Sequence, residues 1–159
     1  DDQDRALWDR ALIAEGERLV EQALRSRRFG PYSLQAAIAA VHAEAPRPEH
    51  TDWEQIVGRY DVLLRAGPSP VIALNRAVAV AMRDGPEAGL ALIDGLLADG
   101  GLDGYYLAQA ARADLCRRAG RIEEARAAYR AALALCQKGA QRSFLEKRLA
   151  ALDVETRAP

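Results

Sequence analysis

An all-α fold of stacked antiparallel helix pairs, about eight helices in all, is what this sequence predicts. Three observations predict it. Apolar residues recur at intervals near 3.6 throughout, no stretch alternates apolar and polar residues long enough for a half-buried strand, and Gly and Pro fall at the joints between periodic stretches. The 159 residues, half of them apolar and 28% charged, suffice for one domain with a real core, so a single domain over 1–159 is expected.

The first helix is expected from about Gln3 to Arg25, burying Trp8, Leu12, Leu19, Ala23 and Leu24, and stopping before Phe29-Gly30-Pro31. The second carries Leu34, Ile38, Val41 and Ala45 on one face and ends at Pro46-Arg47-Pro48. Thr51-Asp52-Trp53-Glu54 reads as a capping box in which Thr51 and Glu54 satisfy each other's free backbone donors. It starts a helix with Trp53, Ile56, Val57, Tyr60, Leu63 and Leu64 inward. Ser69-Pro70 supplies an N-cap and a proline at the first helical position, launching helix four through Leu74, Ala77, Val78 and Ala81.

Asp84-Gly85-Pro86 reads as the same device for helix five, with Leu92, Ile93, Leu96 and Leu97 inward. After a turn from Asp99 to Gly104, helix six is expected over about Tyr105 to Ala119. Helix seven follows Gly120-Arg121 with Ile122, Ala125, Tyr129, Ala132, Leu133 and Cys136 on one stripe, and Lys138-Gly139 closes it. Helix eight buries Leu145, Leu149 and Leu152, and residues 153–159 read as a frayed tail.

A repeat lies within that order. The turns Asp84-Gly85-Pro86 and Ala119-Gly120-Arg121 are 35 residues apart, and Ala88, Leu92 and Gly95 match Ala125, Tyr129 and Ala132 at a spacing of 37. These intervals bracket the ~34-residue period of tetratricopeptide repeats. The expected architecture is therefore a tetratricopeptide-like right-handed superhelix, with an N-terminal helix pair over 1–48 and repeat-like pairs over 49–152. Gln109 and Arg112 depart from the repeat's usual apolar residues. Stacked pairs of this kind leave a concave groove that suits peptides or protein segments.

Charge and composition narrow the function. Lys plus Arg (22) nearly cancels Asp plus Glu (23), so no general attraction to a phosphate backbone is expected and direct nucleic-acid binding is disfavoured. The clusters Arg25/Arg27/Arg28 and Arg117/Arg118/Arg121 lie where cations complement helix C-termini. Cys116 and Cys136, neither in a Cys-x-x-Cys pair, read as reduced core residues of a cytoplasmic protein. No apolar run reaches the roughly 18 residues of a membrane span. The chain opens on Asp1 and its one methionine is Met82, which suggests a segment of a longer protein.

The chemistry-bearing motifs are missing. His42 and His50 are too few and too isolated for a three-ligand zinc site. His42-Ala43-Glu44 lacks the Cys pair that zinc deaminases require, and the loop from Asp99 has Ala110 where a calcium loop needs a bidentate Glu. No phosphate loop, dinucleotide fingerprint or nucleophile elbow occurs. The expectation is a non-catalytic protein with no cofactor and no metal.

Polar residues on helical faces then become the candidate partner-binding set. Asn75 and Arg76 stand in the middle of helix four, and Asn is a poor helix former. Asn75 stands two residues before the small Ala77, as groove-lining Asn residues do in tetratricopeptide proteins; the alternative is a buried Asn and Arg tying adjacent helices together. Gln35, Tyr60, His42, Arg112 and Asp114 complete the set.

Long runs of this sequence resemble the C-terminal extension of bacterial extracytoplasmic-function sigma factors. They include Trp8 to Ile13, Gly30 to Ala43, Thr51 to Ile56, Tyr60 to Leu64 and Ser69 to Val80. The resemblance continues through Gly104 to Leu107, Ala111 to Leu115 and Phe144 to Leu149. It implies a tetratricopeptide-like module that follows two promoter-recognition domains and modulates transcription initiation. Its implied partners are RNA polymerase, the sigma factor's own promoter-recognition domains, or an unknown regulatory protein. A purely structural extension that stabilises the sigma domains is the alternative, and a small-molecule sensor around Asn75, Arg76, Tyr60 and His42 is a further one.

Overall fold

The computed structural model describes residues 7–26, 30–137 and 139–155. Gln3, Arg27, Arg28, Phe29, Lys138 and residues 156–159 lie outside the described residues, as does the side chain of Leu24. Eight α-helices and no β-strand occur among the described residues, which is the all-α helical-repeat fold. They are α1 (Arg10–Arg25), α2 (Pro31–Glu44), α3 (Trp53–Ala66), α4 (Pro70–Asp84), α5 (Pro86–Ala98), α6 (Tyr106–Arg118), α7 (Ile122–Leu135) and α8 (Ala140–Glu155). A single 3-10 turn, Pro48–His50, precedes α3.

Two compact units divide the chain, residues 1–72 and 73–159. In the first, α2 packs against α1 on one side and α3 on the other. Among the described residues, its buried helical side chains come from α2 and α3: Leu34, Ala37, Ile38 and Val41 on the one and Ile56, Val57 and Leu63 on the other. The second is built on the packing of α5 with α6, α6 with α7, and α7 with α8. Its core gathers Leu74, Ala77 and Ala81 from α4 with Leu90, Ile93, Ala113, Tyr129 and Leu152, among others.

Several expected boundaries move, each for a local reason. Helix α1 starts at Arg10 because Asp9 caps it: its carboxylate accepts from the backbone N–H of Ala11 at 2.9 Å and of Leu12 at 3.1 Å. Leu12 and Leu19, expected inside, are 70% and 51% exposed, since α1 packs chiefly on α2 and keeps Ile13, Val20 and Ala23 half-buried instead. The N-cap of α3 is Asp52, whose side chain accepts from Gln55 N–H at 2.9 Å; Thr51 is not the cap. Thr51 is instead buried, and its Oγ1 has no hydrogen-bond partner.

Ser69 does cap α4, its Oγ accepting from Ile72 N–H at 3.4 Å. The start of α5 works differently: Gly85 takes φ +103 ahead of Pro86 and offers no side-chain bond, while Asp84 ends α4 and pairs with Arg83. At the end of α6, Gly120 adopts φ +74, its N–H reaching the Arg117 carbonyl and the next N–H, of Arg121, the Cys116 carbonyl at 2.8 Å. This closing motif needs a left-handed residue. Helix α8 runs on to Glu155, so the first three residues of the expected tail are helical.

The repeat is real but its register differs by one from the expected match. Pro70 and Tyr106, which begin α4 and α6, are 36 residues apart, and so are Pro86 and Ile122, which begin α5 and α7. The same interval relates the inward positions Ala77 and Ala113, Val80 and Cys116, Gly89 and Ala125, Ile93 and Tyr129. Leu92 and Gly95, matched above to Tyr129 and Ala132, are exposed. Gly89 explains the shift: a Cβ there would stand on the Ala81 methyl, 2.9 Å from the Ala77 carbonyl oxygen and 3.0 Å from Leu115 Cδ1. Glycine lets α5 lie directly on α4.

Candidate functional site

The seven residues singled out from the sequence fall in both units. Gln35, His42 and Tyr60 belong to the first unit, and Asn75, Arg76, Arg112 and Asp114 to the second. Gln35 is exposed on α2. His42 meets Trp53 edge to face, ring centroids 5.2 Å apart at 76°, a packing contact between α2 and the start of α3. Tyr60 is half-buried, and burial pushes its phenol above the usual tyrosine range.

A polar tie that the sequence reading missed lies beside Tyr60. Arg59 on α3 donates from Nη1 to the Ala37 carbonyl oxygen on α2. Burial pulls its guanidinium below the ordinary arginine value, partly offset by Glu44 and Asp52. The signal was available: Arg59 stands three residues after Ile56 and four before Leu63, on the buried stripe itself.

In the second unit, Asn75 is exposed, which removes the reading of a buried Asn tying helices together. Arg76 is half-buried one residue on. Arg112, at the place where a bulky apolar residue was expected, is the hub of an ion network joining three helices. Its Nε lies 2.7 Å from Asp94 Oδ1 on α5, and its Nη2 3.5 Å from Glu124 Oε2 on α7, which also receives Arg121. The Asp94 hydrogen bond holds the Arg112 guanidinium above its ordinary range, and the Arg121 hydrogen bond holds the Glu124 carboxyl below the usual glutamate value. Burial pushes the nearby Cys116 thiol up, against the pull of Arg112 and Arg121. Asp114 holds Arg117 at 2.8 Å, next to the buried Tyr129. Arg112 thus braces α5, α6 and α7, while Asp114 is held within α6.

Each unit leaves an apolar groove open. Between α1 and α2 lies a groove of about 390 Å³ whose walls are Leu12, Leu19 and Val20 on one side and Ala36, Ala40 and Ala43 on the other. Between α6 and α8 lies a second, of about 330 Å³, lined by Tyr106, Leu107, Ala110, Gln141, Phe144 and Leu145. Leu107 and Phe144 stand 43% and 55% exposed at its mouth. Neither residue was singled out from the sequence as a binding candidate, although Phe144 sits one position off the Leu145–Leu149–Leu152 stripe, where an aromatic has no core to enter. Among the described residues, no group of three or more His, Cys, Asp or Glu is placed to hold a metal ion. No described helix is long and apolar enough to cross a membrane.

No family model matches the chain. No solved structure matches it either. It is 46% identical over 155 residues, 98% of its length, to an uncharacterized protein of Rhizobium meliloti (strain 1021). The chain spans 36% of that relative, so this similarity concerns a segment that is about a third of a longer protein.

Proposed function

We propose that this chain is a non-catalytic, protein-binding regulatory module: the extension of an extracytoplasmic-function sigma factor, through which transcription initiation by RNA polymerase is modulated. The single observation that carries the binding role is that each unit keeps an almost wholly apolar groove open, with Leu12, Leu19, Leu107 and Phe144 left in solvent at the rims. Clustered exposed apolar side chains of this size mark surfaces that another polypeptide covers. The sigma-factor assignment draws on the long runs quoted above. Those runs contain exposed polar residues, Gln35 and Asn75, that helix packing does not dictate. A relative nearly three times as long leaves room for promoter-recognition domains elsewhere in such a protein.

The experiment is transcription by RNA polymerase programmed with the whole gene product, compared with the same product lacking this segment. Altered promoter output on deletion is the expected result. Equal output from both proteins, at equal concentration and stability, ends the proposal.

A further inference from the structure

The opening between α6 and α8 carries a charge pattern that its apolar lining does not require. None of its lining residues is acidic. Arg148 stands with its guanidinium carbon 5.2 Å from the centre of the Phe144 ring, and Lys147 is exposed next to it in α8. Neither pairs with a carboxylate among the described residues, whereas Arg112, Arg117, Arg121, Arg126 and Arg142 of the same unit all do. The first residues of both helices, Tyr106 and Leu107 of α6 and Ala140 and Gln141 of α8, line the opening, and neither first turn holds an acid. Two positive helix ends therefore border it without a resident anion. Two acids of these helices are engaged elsewhere: Glu146 of α8 is held by Arg142 at 3.0 Å and Asp114 of α6 by Arg117 at 2.8 Å.

We propose that this opening is the docking seat for an acidic peptide segment of a partner protein. One apolar side chain of the segment enters between Leu107 and Phe144, and its flanking carboxylates meet Arg148, Lys147 and the two helix ends. Apolar contact supplies affinity, while the surrounding positive charge repels basic segments with the same anchor and favours acidic ones over neutral ones. The inference refines the protein-binding reading above by naming the chemistry of the partner.

The test is selection of displayed random 12-residue peptides on the full 159-residue chain, followed by fluorescence anisotropy of an enriched peptide. The expected pool carries a large apolar residue with Asp or Glu within three positions. Binding of the enriched peptide is expected to fall at least tenfold in Leu107→Glu and several-fold in Arg148→Glu, and to weaken as salt rises. Lys147→Glu, at an exposed position, keeps the test valid should either of those variants fail to show native helicity by circular dichroism. No enrichment, a pool without acidic bias, or binding indifferent to all three changes would overturn the proposal. Because neither polymerase nor promoter is present, this result and the transcription result can fail independently.

Discussion

A methyl group added at position 89 has no room, and one added at position 95 of the same helix has all of it. Gly89→Ala would force apart α4 and α5 where their backbones approach, and is expected to cost about 1–3 kcal/mol, as overpacking does. Gly95→Ala meets nothing within 4 Å and is expected to stabilise by about 0.5–1 kcal/mol through the helix propensity of alanine. Urea melts of the two variants test the 36-residue register directly, because a 37-residue register reverses the two signs. Position 51 behaves similarly. Thr51→Val removes a buried hydroxyl that has no partner and should raise stability by about 1 kcal/mol, while Asp52→Ala removes the true cap of α3 and should cost about 1 kcal/mol. A loss on Thr51→Val comparable to that on Asp52→Ala would restore Thr51 as the cap.

At the scale of elements, polar side chains hold helices that small residues bring close. Arg112 joins α5 to α7 across α6, and Arg142 closes the end of α7 by donating to the Leu133 carbonyl at 2.9 Å and the Cys136 carbonyl at 3.2 Å. The network sets a pH dependence. Glu124 has its folded value lowered below 4.5, so the stability it contributes is present above 4.5 and is lost as pH falls through that value and below. Glu124→Gln should therefore flatten the acid limb of a plot of urea midpoint against pH, and leave neutral and alkaline behaviour nearly unchanged. A limb as steep as in the parent protein would show that other carboxylates carry the acid sensitivity. The two cysteines report on the same helices: Cys116 is fully buried with its thiol pushed up, and Cys136 is buried at the end of α7. Both should resist a thiol reagent at neutral pH until denaturant opens the second unit, and rapid labelling of Cys116 in the native protein would contradict its packing.

Across the whole molecule, the two units differ in how completely they are built. The second has a continuous core from Leu74 to Leu152, drawn from all five of the helices α4 to α8. A fragment covering residues 68–159, which keeps α4 whole, is expected to fold alone with a cooperative thermal transition followed by circular dichroism. The first unit buries residues from α2 and α3 but leaves Leu7, Leu12 and Leu19 of its first segment exposed. The corresponding fragment of residues 1–67 should melt broadly and at lower temperature, because its apolar burial is smaller and, among the described residues, α1 adds no fully buried side chain. A sharp transition in that fragment at or above the temperature of the other would refute this ranking.

The helices themselves were legible because periodicity, proline at first helical positions and glycine at turns are local properties. Pro31, Pro70, Pro86 and Gly120 act where their backbone chemistry says they must. The stripes Leu34–Ile38–Val41 and Ala125–Tyr129–Ala132 lie inward as their spacing requires. Which apolar residues stay outside could not be read in the same way: Leu12, Leu19 and Leu92 have core-like spacing, but burial depends on whether a second helix arrives to cover them. The same holds for polar residues. Arg112 is a bracing residue because Asp94 and Glu124 come from helices 18 and 12 positions away in the chain, and Asn75 lies in solvent because no neighbour covers it. Local backbone preference therefore determined the elements and their repeat from sequence alone. Only the packing of distant helices decided the register of that repeat, the ion network, and the apolar mouths that Leu107 and Phe144 leave open.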